Sequence, residues 1–405
     1  MAETDFKVYG YRWVILLAFM GVIAVNQLLW ITFAAVTTQA VQFYAVSDLA
    51  IGLLSLSFMA VYILVSFPAS WIIDTYGLRA GVGIGAALTG VFGIVRGLGA
   101  NHYGWVLAAQ IGIAVGQPFV LNAVTTVAAR WFPMKERATA SGLGSLAIYL
   151  GILIGLALTP YLVLQWGIPG TLIVYGVVSA AAMFAFFVFT RERPPSPPCP
   201  PEQEERSLVI DGLSKMIRQR QFIVLLVIFF VGLGAFNAIT TWIEQILAPR
   251  GFSTTQAGDA GGLMILGGIV GALVMPLLSD QLRKRVPFLL LAVAGATLGL
   301  AGLTFATGYP FLLVFSFIFG FFLLSAGPIG FQYGAEITYP APEGTSNGLL
   351  LLMGQISGIA FILALDAMKS PSNGSMTMPL AILIGLLALS LLVGTQLKEA
   401  PTLKA

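Results

Sequence analysis

FPASWIIDTYGLR, residues 67–79, ends an apolar run with an aspartate, turns at a glycine and resumes with an arginine. SDQLRKR, residues 279–285, repeats the pattern about two hundred residues later. The first copy supplies Asp74, Gly77 and Arg79; the second supplies Asp280, Arg283 and Arg285 and lacks the glycine. Ordinary basic loops between apolar segments account for the bases. They do not account for an aspartate at the same place in both halves, so the chain reads as an internal repeat.

The surroundings of both copies fix the solvent. Of 405 residues 58% are hydrophobic and only 9% charged, so most of the surface must face lipid. One cysteine, Cys199, excludes an internal disulfide and a cysteine-based metal site, and one histidine, His102, makes a histidine-ligated metal equally remote. Neither a metal nor a cofactor is expected, and the expected partners are a small-molecule substrate and the bilayer, not nucleic acid. The polar N-terminal stretch runs directly into a span too long for a signal sequence, so the first apolar run is expected to stay in place.

A helix needs about 20 apolar residues to cross the hydrocarbon core. Such runs fall near 13–37, 50–73, 80–98, 105–128, 139–163, 168–190, 222–247, 257–278, 287–307, 310–333, 346–368 and 377–397. With both termini inside, only Arg96, Arg250 and Lys369 of the 20 lysines and arginines lie outside, as the positive-inside rule demands. The proline-rich, charged stretch 191–220 divides the runs into six and six; its end, 207–220, has the pattern of a short amphipathic helix. The expected fold is therefore all-α and integral to the membrane. It has twelve transmembrane helices in two pseudo-symmetric six-helix bundles, 1–190 and 221–405, joined by a cytoplasmic linker. The chain is expected to be a monomeric multi-pass protein of the plasma membrane with both termini cytoplasmic.

Charged side chains at depth are costly and mark function, and no Lys, Arg, Asp or Glu lies mid-span here. The polar groups near mid-depth are amides and aromatics instead. Asn26 and Trp30 share a face of the first span at a spacing of four. Gln110 and Gln117 share a face of the fourth, with Pro118 following, and Tyr149 lies in the fifth. The seventh carries Asn237, Thr241 and Glu244 as one stripe, and the eleventh has Gln355 and, about three turns on, Asp366. A single amide serves as interhelical glue as readily as a binding group. Four spans each supplying one points to a shared polar cavity, lined by Trp30, Asn26, Gln117, Tyr149, Asn237 and Gln355. Glu244 and Asp366, toward the outer ends, are expected either to form an anionic lip or to pair with Arg250 or Lys369.

The paired acid-turn-base loops resemble those of the major facilitator superfamily. That resemblance implies two bundles rocking about a midplane site, with Asp74, Gly77, Arg79, Asp280, Arg283 and Glu336 in the inner loops that pair and unpair. Five stretches narrow it further: VNQLLWITFA (25–34), FPASWIIDTYGLR (67–79), QPFVLNAVTTVAARWFPMKE (117–136), GAFNAITTWIEQIL (234–247) and AEITYPAPEGTSNGLL (335–350) with Gln355 beyond. They are similar to the choline and heme transporter family named for the feline leukaemia virus subgroup C receptor. That similarity implies a tryptophan of helix one and a tyrosine of helix seven closing on a quaternary ammonium, with glutamines of helices four and eleven beside them. Trp30, Gln117 and Gln355 match; Asn237 stands where the tyrosine would be, leaving Tyr149 as the substitute aromatic. The expected activity is facilitated diffusion of a small choline-like cation by alternating access. A proton-linked symporter or antiporter of organic anions, heme or drugs is the alternative. An enzyme would need a convergent nucleophile, base or metal set, and the sequence has none at depth.

Overall fold

A computed structural model describes residues 8–196, 216, 218–338 and 343–399, so most of the expected linker, with its amphipathic helix, lies outside the described residues. All regular structure among the described residues is helical. The helices are α1 (Arg12–Ile31), α2 (Thr37–Tyr44), α3 (Asp48–Tyr76), α4 (Leu78–Leu98), α5 (Tyr103–Leu121), α6 (Val124–Trp131) and α7 (Met134–Phe189). After the linker come α8 (Arg220–Thr241), α9 (Ile243–Leu247), α10 (Thr254–Gln281), α11 (Val286–Phe305), α12 (Tyr309–Thr338), α13 (Glu343–Ala367) and α14 (Thr377–Gly394). Eleven candidate spans among the described residues are long and apolar enough to cross a membrane. Their outward faces are greasy: Leu98 is 80% exposed, Leu64 75% and Phe67 72%, which suits lipid and not water.

The longest helix, α7, has 56 residues, about 84 Å at 1.5 Å per residue and far more than a core of about 30 Å. Its helical geometry fails at Gly167 (φ 66, ψ 178), just before Pro169. Glycine adopts that left-handed φ without a Cβ penalty. On either side lies a stretch long enough to cross by itself.

The chain divides into two compact units. The first comprises Met1–Thr32, Gln39–Val46 and Leu53–Ser207; the second comprises Phe33–Thr38, Ser47–Gly52 and Leu208–Ala405. In the first, α1 packs on α5 and α7, and α4 packs on α5 and α7. In the second, α8 packs on α13, α12 on α10 and α11, and α11 on α14. Phe19, Val82, Val120 and Phe186 anchor one core; Phe222, Leu225, Leu289 and Tyr333 anchor the other. Close approach requires glycine at two of these contacts. A Cβ on Gly151 would overlap the Ala24 carbonyl of α1, and one on Gly271 would overlap the Phe321 carbonyl of α12. Both units also carry a proline inside their second and fourth long helices: Pro68 and Pro118 in the first, Pro276 and Pro328 in the second.

Two spans that read as continuous in the sequence are broken. Helix α1 stops at Ile31 and five non-helical residues precede α2; α8 stops at Thr241 and restarts as α9 after Trp242. A threonine hydroxyl takes the carbonyl four residues back at each break: Thr32 Oγ1 donates to Leu28 O at 2.8 Å and Thr240 Oγ1 to Phe236 O at 2.6 Å. Such back-bonding competes with the helical ladder and bends or ends it.

Candidate functional site

In the first unit the expected site residues stand on packed helices but play different parts. Asn26 is fully buried; its amide nitrogen donates to Thr89 Oγ1 at 3.1 Å, and its oxygen accepts from Gln27 Nε2 at 3.3 Å. Its polar atoms are therefore spent on tying α1 to α4, and the residue expected to face a cavity packs inside the unit. Trp30 is 6% exposed and its indole N–H donates to the Ser55 carbonyl of α3 at 3.3 Å. With the donor occupied, the face of the ring is what Trp30 has left to offer. Gln117, on α5 one residue before Pro118, is buried, yet its amide has no hydrogen-bond partner among the described residues. The hydroxyl of Tyr149, half-buried on α7, has none either.

In the second unit Asn237 of α8 donates to the Gly354 carbonyl of α13 at 3.1 Å, next to Gln355. Gln355 itself is half-buried, and its amide has no hydrogen-bond partner among the described residues. The six residues thus divide. Asn26 and Asn237 are occupied by the protein, Trp30 keeps only its ring face, and Gln117, Tyr149 and Gln355 retain their hydrogen-bonding capacity. None of the three is among the fully enclosed unpaired polar atoms, so each keeps a hydrogen-bonding group that is still reachable.

Of the expected lip acids, Glu244 is 2% exposed. It follows the turn at Trp242, and its carboxylate accepts from the Thr38 backbone N–H at 3.0 Å and Gln245 Nε2 at 3.3 Å. Asp366 is half-buried on the last turn of α13. Among the described residues neither forms a salt bridge with the base expected for it, although the charge of Lys369 acts on Asp366. Lys369 pairs with Asp48, and Arg250 donates to the carbonyls of Leu303 and Ala306.

The repeated loops are built alike. Gly77 has φ 96 and precedes α4, whose first amides, Leu78 N and Arg79 N, are capped by Glu192 at 2.9 and 2.6 Å. Glu192 also pairs with Arg130, and Asp74 and Gly77 line the same surface depression as those two. In the second unit Arg283 fills the left-handed corner at φ 50, and Glu399 caps Arg285 N and Val286 N ahead of α11. The capping glutamate lies 114 residues beyond the helix start in the first unit and 113 in the second. Arg285, not Arg283, joins the acids, bonding Asp280 and, at 3.2 Å, Glu336. Burial alone would lower its pKa, but its hydrogen bonds to Asp280 and Glu336 and their charges outweigh that and raise it above the usual arginine value, so the guanidinium stays charged.

The sequence reading gave Arg96 no part beyond its place among the outer bases, and missed Glu192, Glu399 and a network on α3. In that network Tyr62 donates to Asn122 Oδ1 at 2.8 Å, while Asn122 Nδ2 donates to Ser66 and Ser70 at 3.0 Å each. Tyr62, Ser66 and Ser70 recur every four residues, a stripe legible beforehand.

The model of the Major Facilitator Superfamily matches residues 8–362. The chain belongs to the major facilitator superfamily. It is a multi-pass membrane transporter of that family, with a small-molecule substrate, and not an enzyme. It is 30% identical over 415 residues to solute carrier family 49 member A3 of Danio rerio, covering 96% of this chain and 87% of that one. It is also 30% identical to the choline/ethanolamine transporter FLVCR1 of Mus musculus, covering 94% of this chain and 75% of that one. Among solved structures it superposes on a bacterial homolog of the human lysosomal transporter Spinster in an inward-facing, occupied conformation (TM-score 0.75, 14% identity, 96% and 97% coverage). A D-xylose-proton symporter fits equally well (TM-score 0.75, 14% identity, 97% and 99% coverage). At such identities these structures share the superfamily's helical fold with this chain and say nothing of its substrate.

Proposed function

We propose that this major facilitator protein carries a small organic cation of the choline kind by facilitated diffusion and alternating access. In this reading the chain crosses the plasma membrane twelve times as a monomer, with both termini in the cytoplasm and bundles at 1–190 and 221–405. The observation that carries the proposal is the division among the mid-depth polar residues. Gln117, Tyr149 and Gln355 have side chains without hydrogen bonds among the described residues, and Trp30 offers only a ring face.

A ring face attracts a quaternary ammonium by about 0.5–2 kcal/mol, most when water is excluded. Neutral amides and a phenol bind the hydroxyl of such a solute without adding a charge. The absence of any mid-span charge fits a solute that brings its own. The relatives named as choline/ethanolamine transporters support the same class. Asn26 and Asn237 act from behind, each holding a helix that carries a binding residue.

Uptake into vesicles tests the class. Choline entry that follows the membrane potential and ignores a pH gradient is the expected result; entry driven by a pH gradient at zero potential would contradict it. One observation favours a second reading, a proton-linked carrier. Glu244 is a carboxylate buried beneath Thr38 and Gln245, and such a group can hold and release a proton. In that case Glu244→Gln would abolish pH-driven uptake and leave exchange of solute intact.

A further inference from the structure

Arg96 lies near the C-terminal end of α4 and is fully buried in the first unit. One guanidinium nitrogen donates to the Leu29 carbonyl at 2.9 Å and to Gln110 Oε1 at 2.8 Å, and the other reaches Thr32 Oγ1 at 3.4 Å. Gln110 of α5 donates to the same Leu29 carbonyl at 3.1 Å. Three helices therefore meet on one backbone oxygen.

That oxygen belongs to the last turn of α1, where carbonyls have lost their helical amides. Thr32 takes the Leu28 carbonyl; Arg96 and Gln110 take that of Leu29. A cation at a helix C-terminus also meets the negative end of the helix dipole. Trp30 is the next residue. The peptide plane between Leu29 and Trp30 is thus clamped at its oxygen, while the far edge of the indole is fixed by Ser55. Gln110 and Gln117 share one face of α5, yet the first is spent on this clamp and the second has no hydrogen-bond partner among the described residues.

We propose that Arg96 and Gln110 are positioning residues for Trp30, holding the Leu29 carbonyl so that the indole leaves the broken end of α1 in one direction. This rests on the reading of Trp30 as the face that meets the cation. It adds two residues that never touch the solute but set the orientation of the group that does.

The test uses full-length protein labelled with 5-fluorotryptophan, the Trp30 resonance being identified by its loss in Trp30→Phe. Arg96→Lys keeps the charge and loses the planar fork; Gln110→Leu removes the second donor. The expected result is a Trp30 resonance that is displaced or split in both variants while those of Trp105 and Trp166 stay in place. Choline binding should weaken by about tenfold with the number of sites unchanged. If Arg96→Lys fails to fold, Gln110→Leu decides. A Trp30 resonance coincident with wild type in a folded variant would overturn the proposal. A displaced resonance in a protein that binds no choline supports the positioning role and overturns the substrate class.

Discussion

Asn26 and Gln355 look alike in the sequence, each an amide in an apolar helix, and the structure gives them opposite duties. Replacing Asn26 by leucine leaves Gln27 without its acceptor and Thr89 without its donor. The expected loss is about 1–3 kcal/mol of stability, with the solute affinity of the folded fraction unchanged. Replacing Gln117 or Gln355 by leucine removes a group with no protein partner among the described residues. Stability should then stay within about 0.5 kcal/mol while affinity falls. Thermal unfolding run beside radiolabelled choline binding separates the two outcomes. Spacing along one helix revealed which residues share a face, so the set of candidate amides was legible. What each face meets depends on neighbours far away in sequence, as Asn26 and Thr89 do, 63 positions apart. Trp30 was legible as an aromatic at depth, but not the Ser55 bond that leaves only its face available.

The elements that begin with the repeated loops obey one rule of backbone geometry. Gly77 sits at φ 96, and a Cβ there would also overlap the Glu192 carboxylate, so Gly77→Ala should destabilise the first unit. The second copy has no glycine and forces Arg283 to φ 50, at a cost of about 1–2 kcal/mol. Arg283→Gly should therefore be neutral or stabilising by up to about 1 kcal/mol, since glycine also gains entropy when unfolded. A rise in unfolding temperature for Arg283→Gly beside a fall for Gly77→Ala would bear this out; a fall in both would contradict it. The acid and the turn of each loop were readable directly. The caps were not, because Glu192 and Glu399 arrive from the far end of each unit. The breaks after Ile31 and Thr241 were not legible because hydropathy continues through them, and the threonine back-bonds found there also occur within unbroken helices, as at Thr297.

For the whole molecule, composition and the spacing of apolar runs were enough to place the chain in a helical membrane class, and the paired loops were enough to expect the superfamily. Direction across the membrane is a separate matter, and the chain carries its own probe in Cys199, its single cysteine, within the segment expected to be cytoplasmic. A membrane-impermeant maleimide should label Cys199 in inside-out vesicles and leave it untouched in intact cells; labelling from outside would reverse the topology. The sequence offered a choline-like cation only through resemblance, because the choice depends on which polar groups the fold leaves unspent. Equilibrium binding of choline to the purified protein tests that most directly, with Trp30→Ala and Gln355→Ala measured beside wild type. The account predicts saturable binding that weakens about tenfold or more in each variant, at unchanged unfolding temperature for the half-buried Gln355→Ala and at a lowered one for the buried Trp30→Ala. Binding that survives both substitutions at wild-type affinity would contradict it.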